Sequence, residues 1–433
     1  MKTFHGRLGA ALAALALATT AACGGDPAPA AGEPVTLTFL VDNSETTLAT
    51  AKAVVDAFQP ANPDIKIEIE TRPQGTEGDN VVKTRLSTGD MTDMFWYNSG
   101  SLLQALNPAQ SMADLTGDPA LANVQDSYLS VVTQGGKAYG VPISTAGGGG
   151  ILYNRKVYAD LGLQPPKTWA EFTANNEKVK AAGLTPVIST FKDTWTSQLF
   201  VLGDFYNVHT ALPNFAADYT ANKAKYAATP AAMTGFQRLA DVHQKGFLNK
   251  GFGSATLDEG LRMLVEGKGA HYPMLSFLLP PLLKDYPQVA TDIGFFGIPG
   301  DDPARNGATI WEPAAVYVAR STEHLAAVKK FLAFVASPAG TDAQTKAVAP
   351  AGPYRVKGSK LPEDAIQVAK DLQAYIDRDA TAPALEFLSP VKGPALEQIT
   401  VAVGSGLTPA AEGAAQYDQD VAKQAKQLGL AGW

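Results

Sequence analysis

Val35-Thr36-Leu37-Thr38-Phe39-Leu40-Val41 and, further on, Ile65-Lys66-Ile67-Glu68-Ile69-Glu70 decide the fold class. Both segments alternate apolar and polar residues, the period of a half-buried strand. Between them Leu48, Ala51, Val55 and Phe58 recur at helical spacing, and Pro60 with Asn62-Pro63-Asp64 stops the helix. Strand, helix and strand make a βαβ unit, and strands alternating with helices predict a parallel sheet covered by helices. The pattern continues downstream. Thr168-Trp169-Ala170-Glu171 and Thr256-Leu257-Asp258-Glu259 are capping boxes, and Gly267 is placed to close the second helix. Leu325, Val328, Leu332 and Val335 stripe a helix, and the chain from Ala395 on is mostly helical in pattern. A chain of 433 residues is long for one core, so an α/β protein of two lobes is expected.

Upstream of the first strand, Lys2 and Arg7 precede an almost unbroken Ala/Leu run from Leu8 to Ala18. Small residues and Cys23-Gly24-Gly25 follow, which is the layout of a signal peptide. The run is too short to span a bilayer, which takes about 20 apolar residues. Thr20-Ala21-Ala22-Cys23 resembles a bacterial lipobox, whose Cys is acylated and becomes the new N-terminus. The alternative is an ordinary signal peptide that contains a Cys. Residues 1–22 are thus expected to be a lipoprotein signal and 23–33 a flexible tether, rich in Pro, Ala and Gly from Asp26 onward. Cys23 is the single cysteine, which excludes an internal disulfide and a Cys-based zinc site. The formal net charge is -7 without a basic stripe, which argues against a nucleic-acid binder. His209, His243, His271 and His324 show no metal spacing, so no metal and no cofactor are expected. Gly147-Gly148-Gly149-Gly150 lacks the Gly-Lys-Ser/Thr sequel of a phosphate loop and reads as a flexible hinge.

Tyr139-Gly140-Val141-Pro142-Ile143-Ser144-Thr145-Ala146 runs through the four glycines to Ile151-Leu152-Tyr153-Asn154, and then to Pro165-Pro166-Lys167-Thr168-Trp169-Ala170-Glu171-Phe172. This stretch resembles a signature of the carbohydrate-binding proteins of ABC importers, the maltose-binding-protein-like family 1. Three more segments resemble family segments in the right order: Val265 to Met274, Ile293 to Gly300 and Val316 to Ser321. The resemblance covers the chain from about Val35 to its end. It implies a two-lobed type II periplasmic-binding-protein fold with three crossing strands and an interlobe cleft. The crossings are expected near Ala146–Gly150, Gly307–Trp311 and Ala349–Pro353. Lobe 1 is then 34–146 with 312–350, and lobe 2 is 150–308 with 354–433. Closure of such lobes about a hinge captures the ligand.

A sugar offers hydroxyls at its edge and C–H patches on its faces, so its site needs aromatic platforms and planar polar groups in a cleft. The resemblance places cleft residues after the strand that leads into Trp96 and Asn98. Strand alternation lets only one of Trp96 and Tyr97 face the cleft, and Trp96 is equally a core residue in form. Asn43, Ser44 and Glu45 follow the first strand, where open α/β sheets gather ligands; each also suits plain helix capping. Thr145 stands at the first crossing. Asp193 and Trp195 fall on a loop where the family carries second-lobe contacts, and Phe277 falls where it often has an aromatic, although core packing is open to it too. Trp311 and Glu312 lie at the second crossing, Tyr354 and Arg355 just past the third. Arg355 either binds paired hydroxyls or bridges to a carboxylate. Trp169 is assigned to packing.

The resemblance therefore implies a monomeric extracytoplasmic lipoprotein on the outer face of the cell membrane. It would hand an oligosaccharide to ABC permease subunits, with no enzyme activity. A secreted glycoside hydrolase is the rival class; it needs two cleft carboxylates separated by ~5–10 Å, such as Asp193 and Glu312. A binder of a polyamine, a metal or a phosphorylated solute is the second rival. Several aromatics and one Arg favour a neutral sugar.

Overall fold

The computed structural model describes residues 34–433, and the signal, the lipobox Cys23 and the tether lie outside them. β1 (Val35–Asp42) and β2 (Ile65–Arg72) pair in parallel over their whole length, with the helix Glu45–Phe58 between them. That helix buries Thr47, Thr50, Ala51, Val54, Val55 and Phe58. Phe58 meets Phe331 edge-on at 5.2 Å, so the helix Leu325–Val335 covers the same core.

β3 (Met94–Tyr97) adds to β1 in parallel. β4 (Thr133–Gln134) and β5 (Lys137–Ala138) form a separate hairpin. β6 (Gly140–Pro142) belongs to the first sheet, whose order is β2-β1-β3-β12-β6, where β12 is Ala315–Val318. The second sheet is built from β7 (Gly147–Asn154), β8 (Thr185–Val187), β9 (Gly269–Leu275), β10 (Ile293–Phe296), β11 (Ala308–Trp311) and β13 (Thr381–Pro383). Its order is β13-β11-β7-β9-β8, with β10 on β7. Each sheet anchors a lobe with its own buried core.

Neither sheet is all-parallel. β12 runs antiparallel to β3 and β6, and β7 runs antiparallel to β9, β10 and β11. The crossings are the reason. β1 and β3 run towards the cleft, whereas β12 arrives from it, directly out of β11. A strand fed through a crossing therefore lies opposite to strands fed by a helix.

The first two crossings are displaced from their expected places. The first runs from Pro142 to Gly147, so the glycine run lies beyond it, inside β7. The second is Glu312–Ala314, since 308–311 is strand. The third leaves the helix Pro338–Ala347, then returns to the first lobe. Tyr354 bridges Thr145, Val356 bridges Val124, and the Lys357 N–H donates to Asn123 O. The chain joins the second lobe at the helix Gln367–Asp377. Ala384 and Phe387, on and beside the helix Leu385–Leu388, dip back into the first core.

Both capping boxes are present, and Gly267 closes its helix with φ +69°. Trp169 packs on the second-lobe core and donates from Nε1 to Asp241 Oδ2 at 3.3 Å.

Candidate functional site: the interlobe cleft

Between the sheets lies a cleft with a cavity volume of about 370 Å³. Its second-lobe floor is set by the glycine run. Gly147 to Gly150 are buried in β7, paired to β9 and β11, and serve as space for aromatic rings. A Cβ on Gly149 would stand 1.9 Å from the Trp311 ring, and one on Gly147 would stand 2.9 Å from Phe277. Gly148 and Gly150 make the same room for Phe295. The flexible-hinge reading of this run is thus corrected: the glycines are a close-packed strand surface. Phe277 remains 44% exposed, an aromatic face turned to solvent at the cleft. Ser276 locks the floor to the third crossing: its Oγ accepts from Gly148 N–H at 2.9 Å and donates to Ala351 O at 3.0 Å.

The first-lobe wall begins where β1 ends. Asp42 Oδ1 accepts from Ser44 N–H at 2.9 Å, and Oδ2 accepts from Thr47 Oγ1–H at 3.0 Å. Ser44 caps the helix, accepting from Thr47 N–H, and donates to Thr47 Oγ1. Thr46, Thr47 and Thr50 of this helix line the cleft. β3 sends Trp96 to the cleft wall and Tyr97 to the core. Asn98, Ser99 and Ser101 follow it along the wall. Ser99 Oγ donates to Pro313 O, tying the wall to the second crossing.

At that crossing Glu312 is buried and gripped by Arg355. Nε donates to Oε2 at 2.6 Å and Nη2 donates to Oε1 at 2.8 Å, a two-pronged, charge-assisted contact. Burial pushes the Glu312 carboxyl above its ordinary range, and the guanidinium opposes that. Opposite, the helix Leu385–Leu388 brings Glu386 and Phe387 to the cleft, with Lys392 on Glu386 at 3.1 Å.

The structure brings together Trp96, Asn98, Thr145, Phe277, Trp311 and Glu312 of the expected site residues. It does not bring the others there. Asn43 and Glu45 are exposed, and Ser44 is occupied as a cap. Asp193 accepts from Leu257 N–H at 2.6 Å at the start of the helix Leu257–Val265. Trp195 packs half-buried on the second-lobe core. The Tyr354 hydroxyl bonds Thr345 at 2.8 Å, and Arg355 is committed to Glu312.

Asp42, the three threonines and Glu386 were not singled out from the sequence. Asp42 opens the segment Asp42-Asn43-Ser44-Glu45 that follows the first strand, but its three successors carry the sequence expectation. Thr47 and Thr50 carried a signal: they are polar residues on the helix face that otherwise reads as apolar. Glu386 has no such mark. Among the described residues no cluster of three or more His, Cys, Asp or Glu could hold a metal, and no helix is long and apolar enough to cross a membrane.

Two α/β lobes, three crossings and an aromatic-floored cleft between them define a two-lobed binding protein. The chain belongs to the bacterial extracellular solute-binding protein family, whose profile matches residues 42–342. It is 28% identical over 295 residues to the multiple sugar-binding protein of Streptococcus mutans, covering 66% of this chain and 68% of that one. It is 21% identical over 348 residues to the melibiose/raffinose/stachyose-binding protein MelE of Bacillus subtilis, covering 76% and 77%. Among solved structures, a chitin oligosaccharide binding protein superposes with TM-score 0.75 at 22% identity, over 91% of this chain and all (100%) of that one. RafE in complex with raffinose superposes with TM-score 0.74 at 21% identity, over 89% and 99%. At these identities the two structures speak for the fold alone.

Proposed function

We propose that this protein is the solute-binding component of an ABC importer, and that it captures an oligosaccharide in the interlobe cleft. The observation that carries this reading is the floor: Trp311 and the exposed Phe277 seated on a glycine strand, facing a wall of hydroxyls, an amide and carboxylates. Aromatic faces meet the C–H patches of sugar rings, and the polar wall meets their hydroxyls. The names of the curated relatives point the same way. The loaded protein closes and presents the sugar to the permease; ligand binding supplies the free energy that shifts that equilibrium. Cys23 carries the lipid anchor on the outer face of the cell membrane, and the protein acts as a monomer.

It performs no chemistry on the sugar. Of the two carboxylates named for a hydrolase, Asp193 is off the cleft lining and bonded to a helix start, and Glu312 is held by Arg355. Absence of aryl-glycoside hydrolysis is the expected result.

A thermal-shift screen against oligosaccharides, amino acids, polyamines and phosphate esters tests the reading. A ligand at 100 times its Kd stabilises the native state by about 2.7 kcal/mol. A shift from oligosaccharides alone is expected. A shift from another class, with none from any sugar, overturns the function and leaves the fold. For the anchor, Cys23→Ser is expected to release the protein from membranes into the medium; retention on the membrane would remove Cys23 from that role.

A further inference from the structure

We propose that the cleft selects uncharged oligosaccharides over acidic ones, and that the carboxylates of Asp42 and Glu386 are the filter. The inference rests on the sugar-binding reading above and narrows its substrate class. Among the described residues that line the cleft, Asp42, Glu312 and Glu386 are acidic and none is Lys, Arg or His.

Arg72, opposite Asp42 on β2, is buried beside Trp96 and donates to Pro73 O at 3.1 Å and Trp96 O at 3.5 Å, and two further cations behind the wall are ion-paired. Arg355 holds both oxygens of Glu312, and Lys392 holds Glu386 Oε2 at 3.1 Å. The start of the helix Glu45–Phe58 would ordinarily attract an anion. Asp42 already sits there, accepting from the Ser44 N–H, and both its oxygens are held by uncharged donors. The aromatic floor adds to the bias, since ring faces carry negative potential.

A uronate, sialate or phosphate group in this cleft would therefore face carboxylates, with no guanidinium or ammonium on the cleft lining to pair with. Buried charge needs a partner, and like charges set against each other cost several kcal/mol. Sugar hydroxyls meet the opposite situation. An ionised carboxylate only accepts hydrogen bonds, and hydroxyls donate to it strongly. The groups that repel an acidic ring grip a neutral one.

The test titrates the full protein calorimetrically with matched pairs: lactose and sialyllactose, galactobiose and digalacturonate, maltotriose and its 6-phosphate, and xylotriose with and without a glucuronic acid branch. In the pair whose neutral member binds, the acidic member is expected to bind at least about a hundredfold more weakly. An acidic member that binds equally well or better overturns the inference and leaves the sugar reading standing. Silence from every saccharide, together with binding of a polyamine or amino acid, overturns the sugar reading and this inference with it. Glu386→Gln supplies a second readout. It removes one carboxylate and frees Lys392, so the gap between the members is expected to narrow about tenfold or more. A gap unchanged in that variant, with neutral binding retained, overturns the assignment of Glu386 to the filter.

Discussion

The indole of Trp311 occupies the space that a side chain on Gly149 would fill; a Cβ there would come within 1.9 Å of Cζ3 and 2.4 Å of Cε3. The two residues sit on paired strands, with Thr309 opposite Gly149 and Trp311 opposite Gly147. Platform and support are thus read from one strand pair.

Gly149→Val is expected to push Trp311 off its seat. Affinity for the cognate oligosaccharide should fall about tenfold or more, because a misplaced platform loses the stacking contact and the cleft's shape together. Calorimetry gives the affinity, and circular dichroism checks that the fold persists. Unchanged affinity in a folded variant would show that the position of Trp311 is immaterial to binding.

The Glu312–Arg355 pair is nearly inaccessible on both sides, with side-chain exposures of 1% and 7%. Arg355→Met leaves a buried carboxylate without its partner, so a loss of roughly 3–5 kcal/mol is expected near neutral pH. The sign with pH follows from the direction of the shift. Burial raises the folded-state pKa of Glu312, so the native state binds the proton more readily than the unfolded chain does. Stability of the variant should then recover as pH falls and drop as pH rises through the folded pKa. Denaturant unfolding at pH 5 and pH 8 reads this out. An equal loss at both values would contradict it. Replacing Glu312 by Gln in the same variant should restore much of the loss.

His271 lies wholly buried under the second sheet. Its Nε2 is 2.6 Å from the Tyr158 hydroxyl, and its Nδ1 is 2.8 Å from Pro186 O and 2.9 Å from Asn176 Oδ1. Two acceptors at Nδ1 place the proton there, and the Tyr158 hydroxyl donates to Nε2. Burial pushes the ring pKa down from 6.5 to about 3. The unfolded chain therefore takes up a proton that the native state refuses. Stability is fully present above pH 6.5 and is lost towards pH 3, at about 1.4 kcal/mol per pH unit from this group. Asp204, pushed up to about 6 by burial, works in the opposite sense below that pH. The ring's own signal is the cleaner measure: proton resonances of His271 should not titrate between pH 8 and pH 5. A midpoint near 6.5 would contradict the buried neutral tautomer.

The fold was legible because its signals are local. The alternation in β1 and β2, the two capping boxes and the Leu325–Val335 stripe depend on neighbours within a turn or a strand. Strand direction was not, since β12 is turned antiparallel by a crossing that joins distant parts of the chain. The site divides along the same line. Trp311 and Phe277 could be found by their type and by the family resemblance. Trp195 has the same type, yet packs on the second-lobe core, and nothing in its neighbouring residues marks that difference. Arg355 and Glu312 each suit a ligand contact when viewed singly, but they meet across 43 residues and the guanidinium is committed to the carboxylate. Glu386 reaches the cleft only because a short helix of the C-terminal segment dips back to the first lobe beside Gly100, where a Cβ would stand 2.7 Å from Phe387.

The most direct measurement is calorimetric titration of the wild-type protein, Trp311→Ala and Phe277→Ala with the oligosaccharide that the thermal screen selects. One saturable site is expected in the wild type. Each aromatic truncation should weaken it about tenfold or more, while Phe277→Ala, an exposed position, changes stability by less than about 0.5 kcal/mol. Undiminished binding in both variants would place the sugar outside this cleft and contradict the account.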